Sequence, residues 1–156
     1  MPYDQLNLDR QLCFPLYASA RVISRLYRPF LDPLGLTYTQ YVTMMALWEK
    51  DDVPVGGLGE RLFLDSGTLT PLLRNLERQG FVERVRSRED EREVRVRLTG
   101  SGRALEEKAA GIPGRMATCI GLSLQDAGEL HRILHGFLDR EKRRPAPGDS
   151  PEDPSA

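Results

Sequence analysis

Two cysteines are the side chains with the most reactive chemistry in this chain of 156 residues. Cys13 lies near the start of the first predicted helix, where the helix dipole favours an anion, and the thiolate is the nucleophilic form of cysteine. Cys119 lies at the end of a later helical segment. Two cysteines do not make a disulfide framework. Because free cysteine is among the most buried residue types, a simple packing role for Cys119 stays open.

Other side chains offer weaker chemistry. His131 and His135 stand four residues apart on the last predicted helix and could share a metal. No third cysteine or histidine is nearby, and only acids such as Glu129 and Asp139 could complete the set, so a solvated helix face is the better interpretation. The sequence shows no glycine-rich phosphate loop and no Ser-His-Asp arrangement. We therefore expect neither a metal nor a cofactor.

Composition and charge are those of an ordinary globular domain. The chain carries 22 basic and 23 acidic side chains, and 40% of its residues are hydrophobic. No run approaches the ~20 apolar residues that span a bilayer, and the N-terminus lacks the pattern of a secretory signal. We expect no membrane contact and a reducing cytoplasmic location. The tail of residues 144–156 holds four prolines and is predicted to be disordered.

Hydrophobic periodicity predicts a mainly helical chain. In the first helix, of about Leu6–Leu31, either the regular part starts near Phe14, with Pro15 in its first turn, or Pro15 makes a kink. Pro29, Pro33 and Gly35 are expected to end it. The later predicted helices are one capped by Thr37 and Gln40, a short one over Val55–Phe63, one over Ser66–Gln79, one from Gly102 to about Cys119, and one capped by Ser123 and Asp126 that reaches about Lys142.

Two strands interrupt the helices. Phe81–Arg86 is the first, and the second alternates Val94, Val96 and Leu98 with arginines, which predicts one buried face. Two closely spaced helices before a hairpin are the parts of a winged helix-turn-helix. The predicted fold is mainly α with a small β-hairpin wing. One domain of residues 1–143 would hold the winged helix-turn-helix at about 37–101, with a helical dimerisation region from 6–36 and 102–143.

The helix of Ser66–Gln79 has the character of a DNA-reading helix. Its leucines form one stripe, and its other face carries hydroxyl groups and arginines that suit phosphates and base edges. From Leu72 to Arg97, eight arginines stand against six acids, and Arg84, Arg86, Arg88 and Arg92 are predicted to cluster at the hairpin tip. A solvated hairpin laced with ion pairs is the alternative. Local rules place Pro71 at the first helical position with Thr70 as the cap, whereas an earlier start needs a strained first turn.

At this point the residues resemble a known family. The segment DSGTLTPLLRNLERQGFVERVRSREDEREVRVRLTGSG (Asp65–Gly102) resembles the winged-helix core of the MarR regulators, including an acid–arginine pair in the wing, here Asp90 and Arg92. Three further blocks resemble the organic-hydroperoxide-sensing repressors of the OhrR type: QLCFPLYASAR (Gln11–Arg21), LTYTQYVTMMALWE (Leu36–Glu49) and LDSGTLTP (Leu64–Pro71). The resemblance covers roughly Leu6–Leu138.

The resemblance implies a homodimeric repressor on a pseudopalindromic double-stranded DNA operator, released when organic hydroperoxide oxidises Cys13. It implies that Tyr27 and Tyr38 hydrogen-bond the sulfur and that Tyr17 lines the pocket. Cys119 would resolve the oxidised cysteine, unless a small external thiol does so. The residues expected to contact DNA are Asp65, Ser66, Thr68, Thr70, Pro71, Arg74, Arg78, Arg86, Asp90 and Arg92.

Helix geometry constrains this sensor site. Cys13 and Tyr27 are 14 residues apart, about 21 Å on one straight helix, so a contact between them requires a second subunit. Apolar Phe14, Leu16, Met44 and Met45 are expected nearby and could select an organic peroxide over hydrogen peroxide. Tyr38 and Tyr41 would be core aromatics if Cys13 were inert. Three alternatives stay open: a repressor released by a phenolic ligand, a thiol peroxidase, and a protein-interaction adaptor.

Overall fold

The computed structural model of the chain describes residues 3–87, 90 and 92–143. The predicted disordered tail of residues 144–156 lies outside the described residues. The chain divides into two compact units, one that ends at Cys119 and one that begins at Ile120. The described α-helices are α1 (Cys13–Leu31), α2 (Tyr38–Glu49), α3 (Val55–Leu62), α4 (Ser66–Arg78), α5 (Gly100–Ala109), α6 (Ile112–Ile120) and α7 (Leu124–Lys142). The described strands are β1 (Val53–Pro54), β2 (Val82–Arg86) and β3 (Val94–Leu98), and short 3₁₀ helices cover Asp4–Leu6, Leu8–Arg10 and Asp32–Leu34.

Helix α1 starts at Cys13, so Pro15 stands in the first turn, where its missing N–H costs nothing. The predicted end of this helix at about Leu31 is confirmed, and α1 runs through Pro29 to reach it. Leu31 is 1% exposed, and burial of its side chain outweighs one lost backbone hydrogen bond. The chain turns only at Gly35, whose φ of +68° is left-handed.

Helix α2 is the centre of the first unit. Its predicted capping box is confirmed: Gln40 N–H donates to Thr37 Oγ1, and Thr37 N–H donates to Gln40 Oε1. Tyr41, Met44 and Leu47 are buried on it. Because α2 packs against α1, α3, α5 and β3, it links the N-terminal helix to the helix-turn-helix and the wing.

Helix α4 begins before its proline. Asp65 caps the helix by accepting a hydrogen bond from Thr68 N–H, and Pro71 lies inside. The local rule that put Pro71 at the first position with Thr70 as the cap is therefore wrong. Leu69 precedes the proline and is 2% exposed, so the earlier start gains a buried leucine and a carboxylate cap in exchange for one hydrogen bond.

The predicted hairpin is part of a three-stranded antiparallel sheet. The strand order is β1-β3-β2, with Val53 opposite Val96 and Arg84 opposite Val96 on the other side. Val96 and Leu98 are buried as the alternation predicts, whereas Val94 near the tip is 39% exposed. Strand β1 was not predicted, because two residues are too short to give a periodic pattern.

The single helix predicted from Gly102 to about Cys119 is two helices. Thr99 caps α5 at Gly100, and the helix ends at Ala109. Pro113 has no N–H to donate to the Ala109 carbonyl, and Gly111 favours the turn. Cys119 therefore lies near the end of the sixth helix rather than the fifth. Helix α7 follows the predicted Ser123 cap and ends at Lys142, as expected.

The hydrophobic core of the first unit joins α1, α2, α3, α4, α5, α6 and the sheet. In the described part of the second unit, α7 buries no residue, and Leu130, Ile133 and Phe137 on it are all more than 40% exposed. An amphipathic helix with such an exposed apolar stripe needs a partner surface. Among the described residues, no helix is long and apolar enough to cross a bilayer.

Candidate sensor and nucleic-acid interfaces

Both cysteines are free and exposed in the chain. Cys13 is the first residue of α1, so it stands where the unpaired N–H groups of a helix attract an anion. Cys119 follows Met116 by one turn on α6, and Met116 is 1% exposed. The buried packing role that the sequence left open for Cys119 does not hold within one chain, because its thiol is exposed.

The tyrosines form a cluster at the other end of α1. The Tyr27 ring lies 4.9 Å from that of Tyr38 and 5.6 Å from that of Tyr41, measured between centroids. Helix α1 runs unbroken from Cys13 past Tyr27, a rise of about 21 Å. The structure therefore brings Tyr27 and Tyr38 together but does not bring Cys13 to them within the chain.

The tyrosine hydroxyls in this cluster are held in their protonated form. Burial raises the pKa of Tyr38, and it also raises the pKa of Tyr27 and Tyr41, with smaller contributions from the neighbouring tyrosines. A raised pKa keeps each phenol neutral, so it retains a proton to donate. Tyr27 and Tyr38, which are less buried than Tyr41, can therefore donate hydrogen bonds to an anion such as a thiolate.

Tyr17 lies on the exposed side of α1, one turn after Cys13. The Arg21 guanidinium stacks over its ring at 5.6 Å from the centroid, and an open groove follows along Ala20 and Ser24. Of the apolar residues expected near Cys13, Leu16 and Met45 are exposed, whereas Met44 is fully buried in the core. Met44 thus packs the helices and does not line an open pocket.

Helix α4 separates its two faces as predicted. Leu69, Leu73 and Leu76 are buried. The opposite stripe, at intervals of four, is Ser66, Thr70, Arg74 and Arg78, with Pro71 beside it. Ser66, Arg74 and Arg78 are exposed, and Arg78 donates to Asn75 Oδ1 within the helix. This stripe offers hydroxyl and guanidinium groups on one accessible surface.

Asp65 is occupied as a cap. Its carboxylate accepts from Thr68 N–H at 2.8 Å and from the Thr68 hydroxyl at 3.1 Å. These two hydrogen bonds outweigh desolvation and lower the pKa of Asp65. Asp65 and Thr68 were predicted among the DNA-contacting residues, and the structure gives them a defined intramolecular role in starting α4.

Two arginines near the wing tip, Arg86 and Arg92, are exposed. Arg86 ends β2, and Arg92 lies in the turn before β3. Arg92 N–H donates to Asp90 Oδ1 at 2.9 Å, so the acid–arginine pair meets through the backbone. Ser87 N–H closes the loop onto the Glu93 carbonyl at 2.8 Å. Arg88 lies outside the described residues.

Other hairpin arginines are held in ion pairs. Arg84 was predicted at the tip, but it lies within β2 and binds Glu77 of α4 at 2.7 Å, which also lowers the pKa of Glu77. At the base of the wing, Asp52 Oδ1 forms ion pairs with Arg95 Nε at 2.8 Å and with Arg97 Nε at 3.1 Å. The alternative of a hairpin with surface ion pairs is therefore right for these three arginines, which hold the wing to α4 and to Asp52, the residue before β1.

The sequence analysis did not predict the contacts by which Trp48 and Phe81 hold the start of α5. Trp48 Nε1–H donates to the Gly102 carbonyl at 2.9 Å, and the Tyr41 ring lies 6.3 Å from that of Trp48. Gly102 is so close to Phe81 that an added Cβ would lie 2.0 Å from its carbonyl oxygen. The sequence signal that could have indicated this close packing was Gly102 itself, a second glycine in the first turn of a helix.

The two histidines of α7 stack with ring centroids 4.1 Å apart. No cluster of three histidine, cysteine, aspartate or glutamate side chains that could hold a metal occurs among residues 3–87, 90 and 92–143.

Comparisons with known proteins define the class to which this arrangement belongs. The family of transcriptional regulators SarA/Rot matches residues 25–109. An organic hydroperoxide resistance transcriptional regulator of Bacillus subtilis is 48% identical over 131 residues, 84% of this chain and 87% of the relative. Reduced AbfR bound to DNA is similar in structure, with a TM-score of 0.75 and 30% identity over 92% of this chain and 98% of AbfR. Disulfide-formed AbfR gives a TM-score of 0.60 and 32% identity over 86% and 95% of the two chains.

The fold and these relatives define a winged-helix transcriptional regulator. The chain belongs to the MarR/SarA-type family of these regulators. The predicted fold class and family resemblance are confirmed. Because the relatives are transcriptional regulators, the thiol peroxidase alternative is not favoured.

Proposed function

We propose that this protein is a homodimeric DNA-binding repressor that leaves its operator when an organic hydroperoxide oxidises Cys13. The observation that carries the proposal is the free, exposed thiol of Cys13 at the N-terminus of α1. The B. subtilis relative, 48% identical, supports an organic hydroperoxide as the oxidant. The similarity to disulfide-formed AbfR, at 32% identity, supports a disulfide as the oxidised state.

The sensing reaction begins at the Cys13 sulfur. The thiolate attacks the terminal oxygen of the hydroperoxide, so a sulfur–oxygen bond forms and the peroxide bond breaks. Sulfur loses two electrons to give sulfenic acid, and the departing alkoxide takes a proton and leaves as the alcohol. A thiol then attacks the sulfenic sulfur, which forms a disulfide and releases water. We propose Cys119 of the second subunit as that thiol.

A second subunit also completes the site. The Tyr27 and Tyr38 rings lie together, and Tyr27 is about 21 Å from Cys13 along α1. In a homodimer, the tyrosine cluster of one subunit would hydrogen-bond the Cys13 sulfur of the other. Tyr17, one turn from Cys13, would line the peroxide pocket. The exposed apolar stripe of α7 supplies surface for such a dimer.

The dimerisation region would comprise residues 6–36 and 102–143, and the winged helix-turn-helix residues of about 37–101. Two copies of α4 would enter successive major grooves about 34 Å apart on a pseudopalindrome. The stripe of Ser66, Thr70, Arg74 and Arg78 would face base edges and phosphates, with Pro71 beside it. Arg86 and Arg92, aided by Asp90, would hold the backbone or minor groove at the wing.

Release follows from the geometry of the disulfide. A disulfide needs the two Cα atoms within about 7 Å, so pairing Cys13 with Cys119 would draw α1 of one subunit and α6 of the other together. Helix α6 packs through its buried Ile112 and Met116 into the same core as the helix-turn-helix. A shift of α6 therefore moves the support of the helix-turn-helix, and the two copies of α4 lose the spacing of the operator.

The test measures operator binding by the wild-type protein and by the Cys13→Ser variant, before and after treatment with cumene hydroperoxide. We expect the wild-type protein to leave DNA and the Cys13→Ser variant to stay bound, while both bind equally when reduced. Release of both proteins would refute Cys13 as the sensor. A release that follows a phenolic compound and is indifferent to Cys13→Ser would favour the ligand-controlled alternative instead. Binding that is insensitive to salt would favour the adaptor alternative, because phosphate contacts weaken as salt rises.

A further inference from the structure

We infer that Tyr41 and Trp48 are positioning residues that transmit the state of the sensor tyrosines to the base of the reading helix and the wing. This inference rests on the proposed function. It concerns two aromatic side chains that the sensor chemistry and the DNA surface described above leave without a role.

The first step of the connection is ring contact. The Tyr41 ring touches Tyr27 at 5.6 Å on one side and Trp48 at 6.3 Å, edge to face, on the other. Tyr41 is 1% exposed. Because protein interiors are close-packed, a fully buried ring has no free volume in which to absorb a displacement of its neighbour. A change in the position of Tyr27 is therefore passed to Trp48.

The second step is a hydrogen bond into α5. Trp48 Nε1–H donates to the Gly102 carbonyl at 2.9 Å across 54 residues of sequence. Gly102 lies against the Phe81 carbonyl with no space for a Cβ. The start of α5 thus sits directly on the residue that joins α4 to β2, with no intervening side chain that could adapt.

The third step reaches the reading head. Phe81 lies between the C-terminus of α4 and the first residue of β2. Its N–H donates to Leu76 of α4 at 3.0 Å, and its carbonyl accepts from Thr99 N–H at 3.0 Å. The Thr99 hydroxyl donates to the Gly80 carbonyl at 2.6 Å. Trp48, through Gly102, therefore positions Gly80 and Phe81, the connection between α4 and the wing, which we call the joint.

The arrangement explains how one sensor can act on both DNA-binding elements. Chemistry at the sulfur changes which group the Tyr27 and Tyr38 hydroxyls bond, and the ring stack converts that change into a movement at the joint. A contiguous path of this kind becomes evidence of communication only when its members alter the response without altering the sensor. The experiment is designed to separate those two effects.

The measured quantity is the ratio of operator affinities before and after treatment with cumene hydroperoxide, with Cys13 oxidation followed by mass spectrometry. For the wild-type protein we expect a ratio on the order of 10- to 100-fold. For Trp48→Phe, which keeps a ring but loses the N–H donor, and for Tyr41→Leu, we expect less than about threefold at an unchanged rate of Cys13 oxidation. Tyr41→Phe keeps the ring and should restore the wild-type ratio.

Phe30→Leu is the matched control, because Phe30 packs against the same core but lies outside the ring stack formed by Tyr41 and Trp48. It should lower stability and leave the ratio unchanged. Trp48 is the one tryptophan in the sequence, so its emission gives a second readout. Peroxide should shift the emission of the wild-type and Tyr41→Phe proteins, and should fail to shift that of Tyr41→Leu.

A wild-type ratio for Trp48→Phe and Tyr41→Leu, or a constant tryptophan emission in the wild-type protein, would overturn the inference and leave the proposed function intact. If oxidised wild-type protein stays on DNA, the proposed function fails and the inference fails with it. If Tyr41→Leu does not fold, Trp48→Phe against Phe30→Leu still gives the comparison.

Discussion

Cys13 and Tyr27 stand on the same unbroken helix, about 21 Å apart, with the thiol at its first residue and the tyrosine in its last third. The separation is fixed by the helix itself, so no side-chain rotation brings the two together. If Tyr27 donates to the Cys13 sulfur, two copies of α1 must run past each other in the dimer.

Mixed dimers test this arrangement. One dimer carries Cys13→Ser in one subunit and Tyr27→Phe in the other, so its intact Cys13 faces an intact Tyr27 across the interface. A second dimer carries both changes in one subunit, so its intact Cys13 faces Phe. We expect Cys13 to react about tenfold or more faster with cumene hydroperoxide in the first dimer, because a hydrogen bond to a charged group contributes ~1.5–3 kcal/mol. The reverse order would place the contact within one subunit.

The second cysteine makes a distinct prediction. Cys119 is exposed near the end of α6, and we expect it to resolve the Cys13 sulfenic acid across the dimer. Mass spectrometry after cumene hydroperoxide should find a Cys13–Cys119 crosslink between subunits in the wild-type protein and none in Cys119→Ser, in which Cys13 proceeds to higher oxides. A mixed disulfide with a small thiol in the wild-type protein would instead assign resolution to that thiol.

We expect some wing arginines to contact DNA, whereas others form ion pairs within the protein. Replacing Arg86 by Gln should remove one phosphate contact per subunit and lower the slope of log affinity against log salt by roughly 2 for the dimer. Arg84→Gln is the matched control, because Arg84 is bound to Glu77. It should lower thermal stability and leave the salt slope unchanged. Equal slopes for Arg86→Gln and the wild-type protein would remove Arg86 from the interface.

Two glycines in α5 give a test of the close packing at the base of the wing. A Cβ at Gly102 would lie 2.0 Å from the Phe81 carbonyl oxygen, whereas a Cβ at Gly100 would meet nothing within 4 Å. We expect Gly102→Ala to lower the free energy of unfolding by about 1–3 kcal/mol or more, and Gly100→Ala to leave it equal or slightly higher. Denaturant unfolding of the two variants measures the difference. Equal stability of both would contradict the packing described.

The sequence allowed the local features of the fold to be predicted. The Thr37 and Gln40 capping box, the Ser123 cap and the leucine stripe of α4 all depend on residues within a few positions of one another. One local rule failed where tertiary burial outweighed it: burial of Leu69 starts α4 before Pro71. The break between α5 and α6 was missed although Gly111 and Pro113 mark it, because the helical periodicity continues across it.

The candidate site was predicted only in part, because some of its contacts join residues far apart in the sequence. The positions of Cys13 and the tyrosines in the chain follow from the resemblance, and the distance between Cys13 and Tyr27 follows from helix geometry. The contact of Trp48 with Gly102 joins residues 54 positions apart, and nothing local to either residue signals it. The pairing of Arg84 with Glu77 likewise depends on how β2 lies against α4.

The most direct measurement titrates the operator-bound wild-type protein with cumene hydroperoxide while mass spectrometry follows the Cys13 sulfur. We predict that release from DNA rises in proportion to Cys13 oxidation and is complete once about one equivalent of peroxide per subunit has reacted. A dithiol should restore binding. Undiminished binding by protein whose Cys13 is fully oxidised would contradict this prediction.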